Sequence, residues 1–374
     1  MTQVWQIAAG GSSRQNYDYR SLFLKHDVML LYPGRYGSYK DEVYQQLIDT
    51  RRWTSRKRIR MIRQFATEPR EGDIVLLMSG YNIEALGLVA DGDYSWEETF
   101  DDVFGWDLQH TQRVIWQDNL SEEVQNNGER LFAGGPRQIP MFGVVSEQRI
   151  LGRIEYLFNG CRRRPLKDMP ARPPKPLTLE ELGSELFLKG LSNGAVGKVT
   201  SAIQRQQRLV NWYEEYGKES NRPEERKVVA HLVVPFLLAL GWSEELLAVE
   251  WGEWGGRRRV KVDLAAFSGT PTTPGDCCLI CEAKFLECSL QKNVLKQAKN
   301  YVEQLRLGNC KKILVTDGIS FCLYQRLENS EWKEEPVGYL NVKLIRTNHI
   351  APADTNAVDT IMALTPAGID RELV

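Results

Sequence analysis

Two stretches decide how the second half of the chain folds: Val260–Ala266, with the sequence VKVDLAA, and Leu279–Lys284, with the sequence LICEAK. The first stretch alternates apolar and charged residues and then becomes apolar, and the second is apolar up to its charged end. Both are therefore predicted to be β-strands. Side chains two residues apart lie on the same face of a strand, which places Glu282 beside Lys284. If the two strands pair, Asp263 joins them at one point.

Two carboxylates and one ammonium at a single point are suited to phosphodiester hydrolysis. Carboxylate oxygens are ligands for hard divalent cations, so Asp263 and Glu282 are predicted to bind Mg²⁺ or Mn²⁺. Lys284 is expected to orient a water for attack on phosphorus or to help deprotonate it. The competing interpretation is an ordinary surface ion pair on a strand. The apolar residues that precede the pair argue against it, because charges near a buried strand are costly.

The flanking sequence predicts a definite order of elements: helix, strand, the strand with Asp263, the strand with Glu282, helix, strand, strand. The first helix runs from about Pro223 to Gly241, starts with glutamates and contains Pro235. The second helix covers about residues 287–307 and contains Gln297 and Tyr301. These two are four residues apart and therefore share one face of that helix.

This order and these residues resemble the PD-(D/E)XK nuclease superfamily, in particular the nuclease domain of type I restriction motor subunits. The resemblance covers about residues 220–350 and implies a mixed sheet flanked by helices. It implies that Asp263 is the metal aspartate and that Glu282 and Lys284 are the Glu-x-Lys pair. Val262 stands where the superfamily usually has proline, which is a common variation.

The resemblance also assigns roles to the two helices. Gln297 joins the catalytic group, and Tyr301 lies with the residues that contact the nucleic-acid backbone. Glu225 matches the helix glutamate that completes the catalytic and metal-binding set, with Glu224 as a close competitor. The segment Pro235–Trp242 matches the motif that usually follows this glutamate.

Length and charge limit the organisation of the chain. A chain of 374 residues exceeds one typical domain. The net charge of −1 does not indicate nucleic-acid binding, so any such surface must be local. Basic runs occur at 51–60, 162–164 and 257–259, and a solvated surface is the competing interpretation of each. The third run leads into the Asp263 strand, so its members are predicted to contact phosphates: Arg257, Arg258 and Arg259.

The cysteines and the absence of targeting signals predict a cytoplasmic protein. The N-terminal sequence lacks the pattern of a signal peptide, and no apolar run approaches the length of a membrane span. Seven cysteines, an odd number, fit reduced thiols. Cysteines 277, 278, 281 and 288 are predicted to be small buried hydrophobes rather than ligands of a metal cluster.

We predict five segments. Residues 1–160 form a recognition domain, 161–178 a Pro/Arg-rich linker, and 179–220 a helical arm packed on the nuclease core. Thr178 and Glu181 predict a capping box at the start of the arm. Residues 221–350 form the nuclease domain, and 351–374 form a C-terminal tail. The fold class is α+β or α/β with two domains.

Short strands with Gly/Asp turns in the N-terminal part predict a small β-barrel. Residues 1–120 resemble the PUA-like superfamily, particularly its EVE branch, through an opening-strand tryptophan and the run Gly72–Leu77, GDIVLL. That resemblance implies a pocket for a flipped, modified base, built by stacking and edge hydrogen bonds. The competing interpretation is that most of these aromatic residues fill the core. The candidate base-binding residues are Trp5, Tyr17, Tyr19, Trp96, Trp106 and Asp107.

Together the two resemblances indicate a modification-dependent, type IV-like restriction endonuclease of prokaryotic antiviral defence. It would be a metal-dependent endodeoxyribonuclease that cleaves double-stranded DNA carrying modified cytosine, without a membrane partner. Cutting both strands implies a homodimer. Two alternatives stay open: a nuclease that acts on RNA or is triggered by a nucleotide or a partner, and a nucleic-acid binder that does not cleave.

Overall fold

The computed structural model divides the chain into two compact units, Met1–Arg172 and Pro173–Val374. It describes residues 2–8, 19–42, 44, 46, 56–79, 82–91, 93–117, 141–146, 151–152, 154, 163–216, 224–255, 258–270, 272–286, 290, 292–328 and 330–373. In this part of the chain, no helix has both the length and the apolar character needed to cross a membrane. The fold class is mixed α+β, as predicted.

The first unit contains one seven-stranded sheet in the order β2-β6-β4-β3-β1-β7, with β5 paired to β6. Strands β1 and β3 are parallel, and the other pairs are antiparallel. The described strands form a half-barrel, where the sequence predicted a barrel. The elements are β1 (Val4–Ala8), α1 (Arg20–His26), β2 (Val28–Leu31), α2 (Arg56–Thr67), β3 (Ile74–Ser79), β4 (Asn82–Val89), β5 (Ser95–Trp96), β6 (His110–Trp116) and β7 (Phe142–Val144).

The second unit contains a six-stranded mixed sheet in the order β15-β14-β13-β12-β11-β8, in which only β12 and β13 are parallel, and a hairpin of β9 and β10. Its helices are α3 (Leu179–Leu188), α4 (Asn193–Tyr216), α5 (Glu225–Val228), α6 (Val234–Ala239), α7 (Lys292–Gln304) and α8 (Ala357–Ala363). Its strands are β8 (Leu247–Val249), β9 (Gly252–Gly255), β10 (Arg258–Lys261), β11 (Leu264–Phe267), β12 (Cys277–Ala283), β13 (Lys312–Thr316), β14 (Ser320–Gln325) and β15 (Gly338–Asn341).

Proline explains a break in the helix that leads to the site. The sequence predicted one helix here, whereas a π-helical turn, Val229–Val233, separates α5 from α6. Pro235 has no N–H to donate to the carbonyl oxygen of His231. The residue before it, Val234, donates its N–H to the carbonyl oxygen of Val229, five residues back, which is the π-helical pattern. Arg205 Nη1 donates to the freed His231 carbonyl at 2.8 Å.

The predicted arm is part of this core. Thr178 and Glu181 form the expected capping box at the start of α3. Apolar residues of α3 and α4, among them Leu186 and Ile203, are fully buried in the same cluster as α6 and the sheet. Gln206 Nε2 donates to Leu232 O at 3.1 Å, so α4 also satisfies the irregular turn.

The predicted tail, 351–374, is not a free extension. Val358 and Ile361 on α8 are buried in the main core, and Trp242 Nε1 donates to Leu364 O at 2.8 Å. The ammonium of buried Lys312 donates to the carbonyls of Ala363 and Gly368 at 3.2 and 3.0 Å. The apolar spacing of α8 explains this burial, because its hydrophobic stripe needs a partner surface.

The predicted linker is irregular but attached at both ends. Residues 163–178 contain no helix or strand, as their prolines require. Arg164 Nη2 donates to the buried carboxylate of Asp27 at 2.8 Å. At the other end, Leu177 N–H donates to Ile345 O at 2.7 Å. The division between the units falls inside this segment, at Arg172–Pro173, so the first unit extends beyond the predicted residue 160.

Gly318→Ala should destabilise the second unit. Gly318 has φ +87° in the turn between β13 and β14, and an added Cβ would lie 2.4 Å from Leu232 Cδ1. The left-handed backbone and the overlap together should lower the free energy of unfolding by roughly 1–3 kcal/mol. Urea unfolding measures the change. Gly197→Ala is the control, since open space surrounds that helical position. Gly197→Ala should raise the free energy of unfolding by about 0.5–1 kcal/mol. Equal changes in the two variants would contradict the close contact between Gly318 and Leu232.

Candidate functional site

Pairing of β11 with β12 brings the predicted acidic residues together. The strands are antiparallel with Leu264 opposite Cys281, so Asp263 and Glu282 are the next positions along the pair. Ala283 N–H donates to Asp263 Oδ2 at 2.8 Å. This bond fixes the carboxylate against the backbone that carries Glu282 and Lys284. Cys281 and Ala283 are buried in the core cluster, so the charged residues of the alternating strand face the other way.

Lys284 links the acidic residues into one cluster. Its Nζ lies 2.7 Å from Glu282 Oε1 and 3.6 Å from Glu225 Oε1. The side chains of Glu282, Lys284 and Glu225 are 4%, 14% and 47% exposed. The cluster therefore runs from a buried carboxylate to an accessible one, as a site that admits a ligand from solvent requires.

The electrostatics of the cluster show carboxylates that repel one another. Burial raises the pKa of Asp263, and burial together with the charge of Asp263 raises the pKa of Glu282 to about 7. Burial alone would lower the pKa of Lys284, but the charges of Glu282, Glu225 and Asp263 outweigh burial and raise it. Each acid stabilises the ammonium, while the acids destabilise each other's charged forms.

The donor set fits a hard divalent cation. Two carboxylates are enough protein ligands for Mg²⁺, which keeps several waters and takes further oxygens from phosphates. A cation between Asp263 and Glu282 would also cancel the repulsion that raises the pKa of Glu282. Among the residues described, no three His, Cys, Asp or Glu side chains converge to hold a metal ion. The predicted set of Asp263, Glu282 and Glu225 is therefore not assembled, and Glu225 lies instead beside Lys284.

The other predicted residues of this site have separate positions. Gln297 Nε2 donates to Tyr301 Oη at 2.8 Å on α7, which confirms that they share a helix face. Within the described chain, neither side chain is hydrogen-bonded to Asp263, Glu282 or Lys284. Two of the three predicted phosphate-contacting arginines, Arg258 and Arg259, belong to β10 of the hairpin, and the third, Arg257, lies outside the described residues.

One residue near the site was missed from the sequence. Glu250 has φ +50°, and its N–H donates to the carbonyl oxygen of Asp263 at 2.9 Å. Its carboxylate holds Arg226 Nε at 2.8 Å and Lys261 Nζ at 3.0 Å. Glu250 thus fixes the backbone that presents Asp263. No sequence signal marks a non-glycine residue in the left-handed conformation, so this role of Glu250 is not predictable from the sequence.

A second cluster lies in the first unit, at the end of β2. The rings of Tyr32 and Trp106 are 4.9 Å apart, and Trp96 Nε1 donates to Gly34 O at 2.8 Å. Asp107 Oδ2 accepts from Arg35 N–H at 3.1 Å. Burial, with the nearby charges of Tyr32 and Asp107, raises the pKa of Tyr19. Three predicted base-binding residues, Trp96, Trp106 and Asp107, therefore lie with Tyr32 around the segment that follows β2, and these four residues form the aromatic cluster. Tyr19 is near enough for the charges of Tyr32 and Asp107 to act on it.

Two other predicted base-binding residues do not join this aromatic cluster. Trp5 is fully buried, stacks on Phe142 at 5.2 Å and donates Nε1–H to Asp73 Oδ2 at 3.0 Å. The prediction that Trp5 stacks on a base is wrong, because the ring is fully buried on a strand that lies between two neighbours. Tyr17 lies outside the described residues.

A buried histidine supports the loop behind the aromatic cluster. The hydroxyl of Tyr94 lies 2.7 Å from His110 Nδ1, and His110 Nε2 lies 2.9 Å from Pro33 O. Burial lowers the pKa of His110 to about 4, so the ring is neutral near pH 7. The carbonyl can only accept, so Nε2 carries the proton and Nδ1 accepts from the tyrosine. Both ring nitrogens are therefore hydrogen-bonded, Nε2 to the Pro33 carbonyl and Nδ1 to Tyr94.

The family model described as Domain of unknown function (DUF8426) matches residues 5–132. The match covers the part of the chain that contains the aromatic cluster. Comparisons with curated proteins and with solved structures found no match. Function is therefore inferred from the geometry of the two clusters.

Glu282→Gln should change how stability depends on pH. The pKa of Glu282 is raised from 4.5 to about 7, so the folded wild type keeps a proton that the unfolded chain releases. This group therefore lowers wild-type stability progressively as pH rises from about 4 to 8, and the variant escapes that loss. Urea unfolding in EDTA measures the free energy of unfolding. The difference between the variant and the wild type should shift by roughly 3 kcal/mol in favour of the variant across this pH range.

The control is Glu303→Gln, which removes an exposed carboxyl group on α7. It should keep the wild-type pH profile. A difference between Glu282→Gln and wild type that stays constant with pH would contradict the buried, repelled carboxylate.

Proposed function

We propose that the second unit is a Mg²⁺-dependent endonuclease. The observation that carries the proposal is the meeting of Asp263, Glu282 and Lys284 at the end of two paired strands. Two carboxylates with one fixed ammonium supply metal binding and charge stabilisation at the same point, which phosphodiester hydrolysis requires. The mixed sheet flanked by helices and the order of its elements support a PD-(D/E)XK-like nuclease.

Each side chain has a distinct task in this proposal. Asp263 and Glu282 hold Mg²⁺ or Mn²⁺, which when bound supplies Lewis-acid activation of the phosphate and of a water. Lys284 is held by Glu282, so it faces the reacting phosphate in a fixed orientation and orients the attacking water or stabilises developing charge. Glu225, half exposed, lies where it can contact the ammonium from the solvent side. Gln297 and Tyr301 act together as a hydrogen-bonded pair on α7.

Lys284→Ala should abolish most cleavage. Loss of the ammonium removes the group that orients water or stabilises charge, an effect of about 100-fold or more. Single-turnover cleavage of duplex DNA containing modified cytosine, with Mg²⁺, measures the rate. Lys296→Ala is the control, because it removes an exposed lysine from α7 without touching the cluster. Full activity in Lys284→Ala would remove its proposed catalytic role.

We further propose that the first unit selects the DNA to be cut. Its aromatic cluster offers the faces of Tyr32 and Trp106 for stacking and the carboxylate of Asp107 for a base edge. The half-barrel supports a PUA-like, EVE-like recognition domain for a flipped, modified cytosine. In this proposal the whole chain is a modification-dependent restriction endonuclease of antiviral defence, which cuts both strands as a homodimer.

Trp106→Ala should reduce discrimination between modified and plain DNA. Stacking contributes about 1–3 kcal/mol per base, so the ratio of the two cleavage rates should fall about 5-fold to 150-fold. The substrates are matched duplexes with cytosine, 5-methylcytosine or 5-hydroxymethylcytosine. Phe187→Ala, which removes an exposed aromatic residue from α3, is the control. Equal cutting of all duplexes by the wild type would refute base reading, and an unchanged ratio in Trp106→Ala would refute this residue's part in it.

A further inference from the structure

Helix α2 carries an unusual concentration of positive charge. Its sequence, RKRIRMIRQFAT, has five basic residues and no acidic one. The whole chain has a net charge of −1, so this positive charge is local. Neighbouring like charges on a helix surface destabilise it slightly. An anionic partner bound to this helix surface would reduce the repulsion between the basic side chains and so stabilise the helix.

Packing fixes which face of α2 is exposed. Ile62 and Phe65 are fully buried, and the Phe65 ring meets the ring of Phe142 on β7 at 5.1 Å. Arg60 and Arg63 are exposed. They are three residues apart and therefore neighbours on the helix surface. Because Ile62 and Phe65 hold the helix in the core, Arg60 and Arg63 stay exposed to solvent.

The exposed pair has no acidic partner among the described residues. In the part of the chain that the structure describes, neither Arg60 nor Arg63 forms an ion pair, while Arg20 of the same unit pairs with Glu84. The two guanidinium groups are therefore exposed with no described carboxylate bonded to them. Planar guanidinium groups with several donors match phosphate oxygens.

The same helix reaches the aromatic cluster through Arg58, in its first turn. The guanidinium of Arg58 lies over the Tyr32 ring, 5.2 Å from its centroid. Tyr32 in turn contacts Trp106. Helix α2 therefore carries both the exposed arginine pair and a cation packed on the aromatic cluster. Positive charge near aromatic rings is the combination that binds a nucleic-acid strand through its phosphates and its bases.

We propose that the exposed arginine pair of α2, Arg60 and Arg63, binds the phosphate backbone of the DNA whose base is presented to the aromatic cluster. The inference rests on the proposed function and adds a backbone-binding surface in the first unit. This surface contributes affinity without sequence preference, because phosphates carry no base information. Modified and plain DNA therefore gain equally from it.

The test measures DNA binding by the full chain as a function of salt. Fluorescence anisotropy of a labelled 20-base-pair duplex in EDTA, from low to high KCl, gives the slope of log K against log [KCl]. Arg60→Gln/Arg63→Gln should reduce the magnitude of that slope by about 1.8, because two phosphate contacts are lost. Each single variant should reduce it by about half as much. The loss of affinity should be the same for modified and plain duplexes.

Lys198→Gln/Arg208→Gln is the control, because it removes two exposed basic residues from α4 and changes the net charge equally. It should leave the slope unchanged. If Arg60→Gln/Arg63→Gln keeps the wild-type slope, or if the control reduces the slope equally, the proposed phosphate-binding surface is wrong. Either result would leave the nuclease proposal intact. Absence of salt-dependent DNA binding by the wild type would overturn both.

Discussion

The pairing of β11 with β12 is the constraint on which the candidate site depends. It places Asp263 next to Glu282, and the bond from Ala283 N–H to Asp263 Oδ2 fixes the first carboxylate against the second strand. A carboxylate as buried as Glu282 needs a partner, and Lys284 supplies one at 2.7 Å. The cluster remains electrostatically strained, since the charge of Asp263 still raises the pKa of Glu282. Strain of this kind is typical of sites that bind charged ligands.

The surrounding structure supports that pairing from both sides. Glu250 holds the Asp263 backbone, while its carboxylate is fixed by Arg226 and Lys261. The start of α5 presents Glu225 to Lys284, and this helix continues into a π-helical turn caused by Pro235. Side chains of α4 satisfy the carbonyls of that turn. The helical arm therefore stabilises the element that carries Glu225.

Local periodicity was enough to predict the residues that share a face of one element. Glu282 and Lys284 follow the two-residue period of a strand, and Gln297 and Tyr301 follow the four-residue spacing of a helix. Long-range effects were not predictable in this way. The alternating pattern does not reveal that Trp5 is fully buried against Phe142 on a strand between two others, or that Asp27 anchors Arg164 of the linker. Residues 351–374 were predicted to be a tail, because the sequence does not show the core surface against which α8 packs.

The central claim is that Asp263 and Glu282 together bind a divalent cation beside Lys284. The most direct test is the anomalous difference density of a crystal soaked with Mn²⁺. We predict a single strong peak within coordination distance of oxygens from both carboxylates, which disappears in Asp263→Asn crystals. Ordered Asp263 and Glu282 side chains without such a peak at saturating Mn²⁺ would contradict the claim.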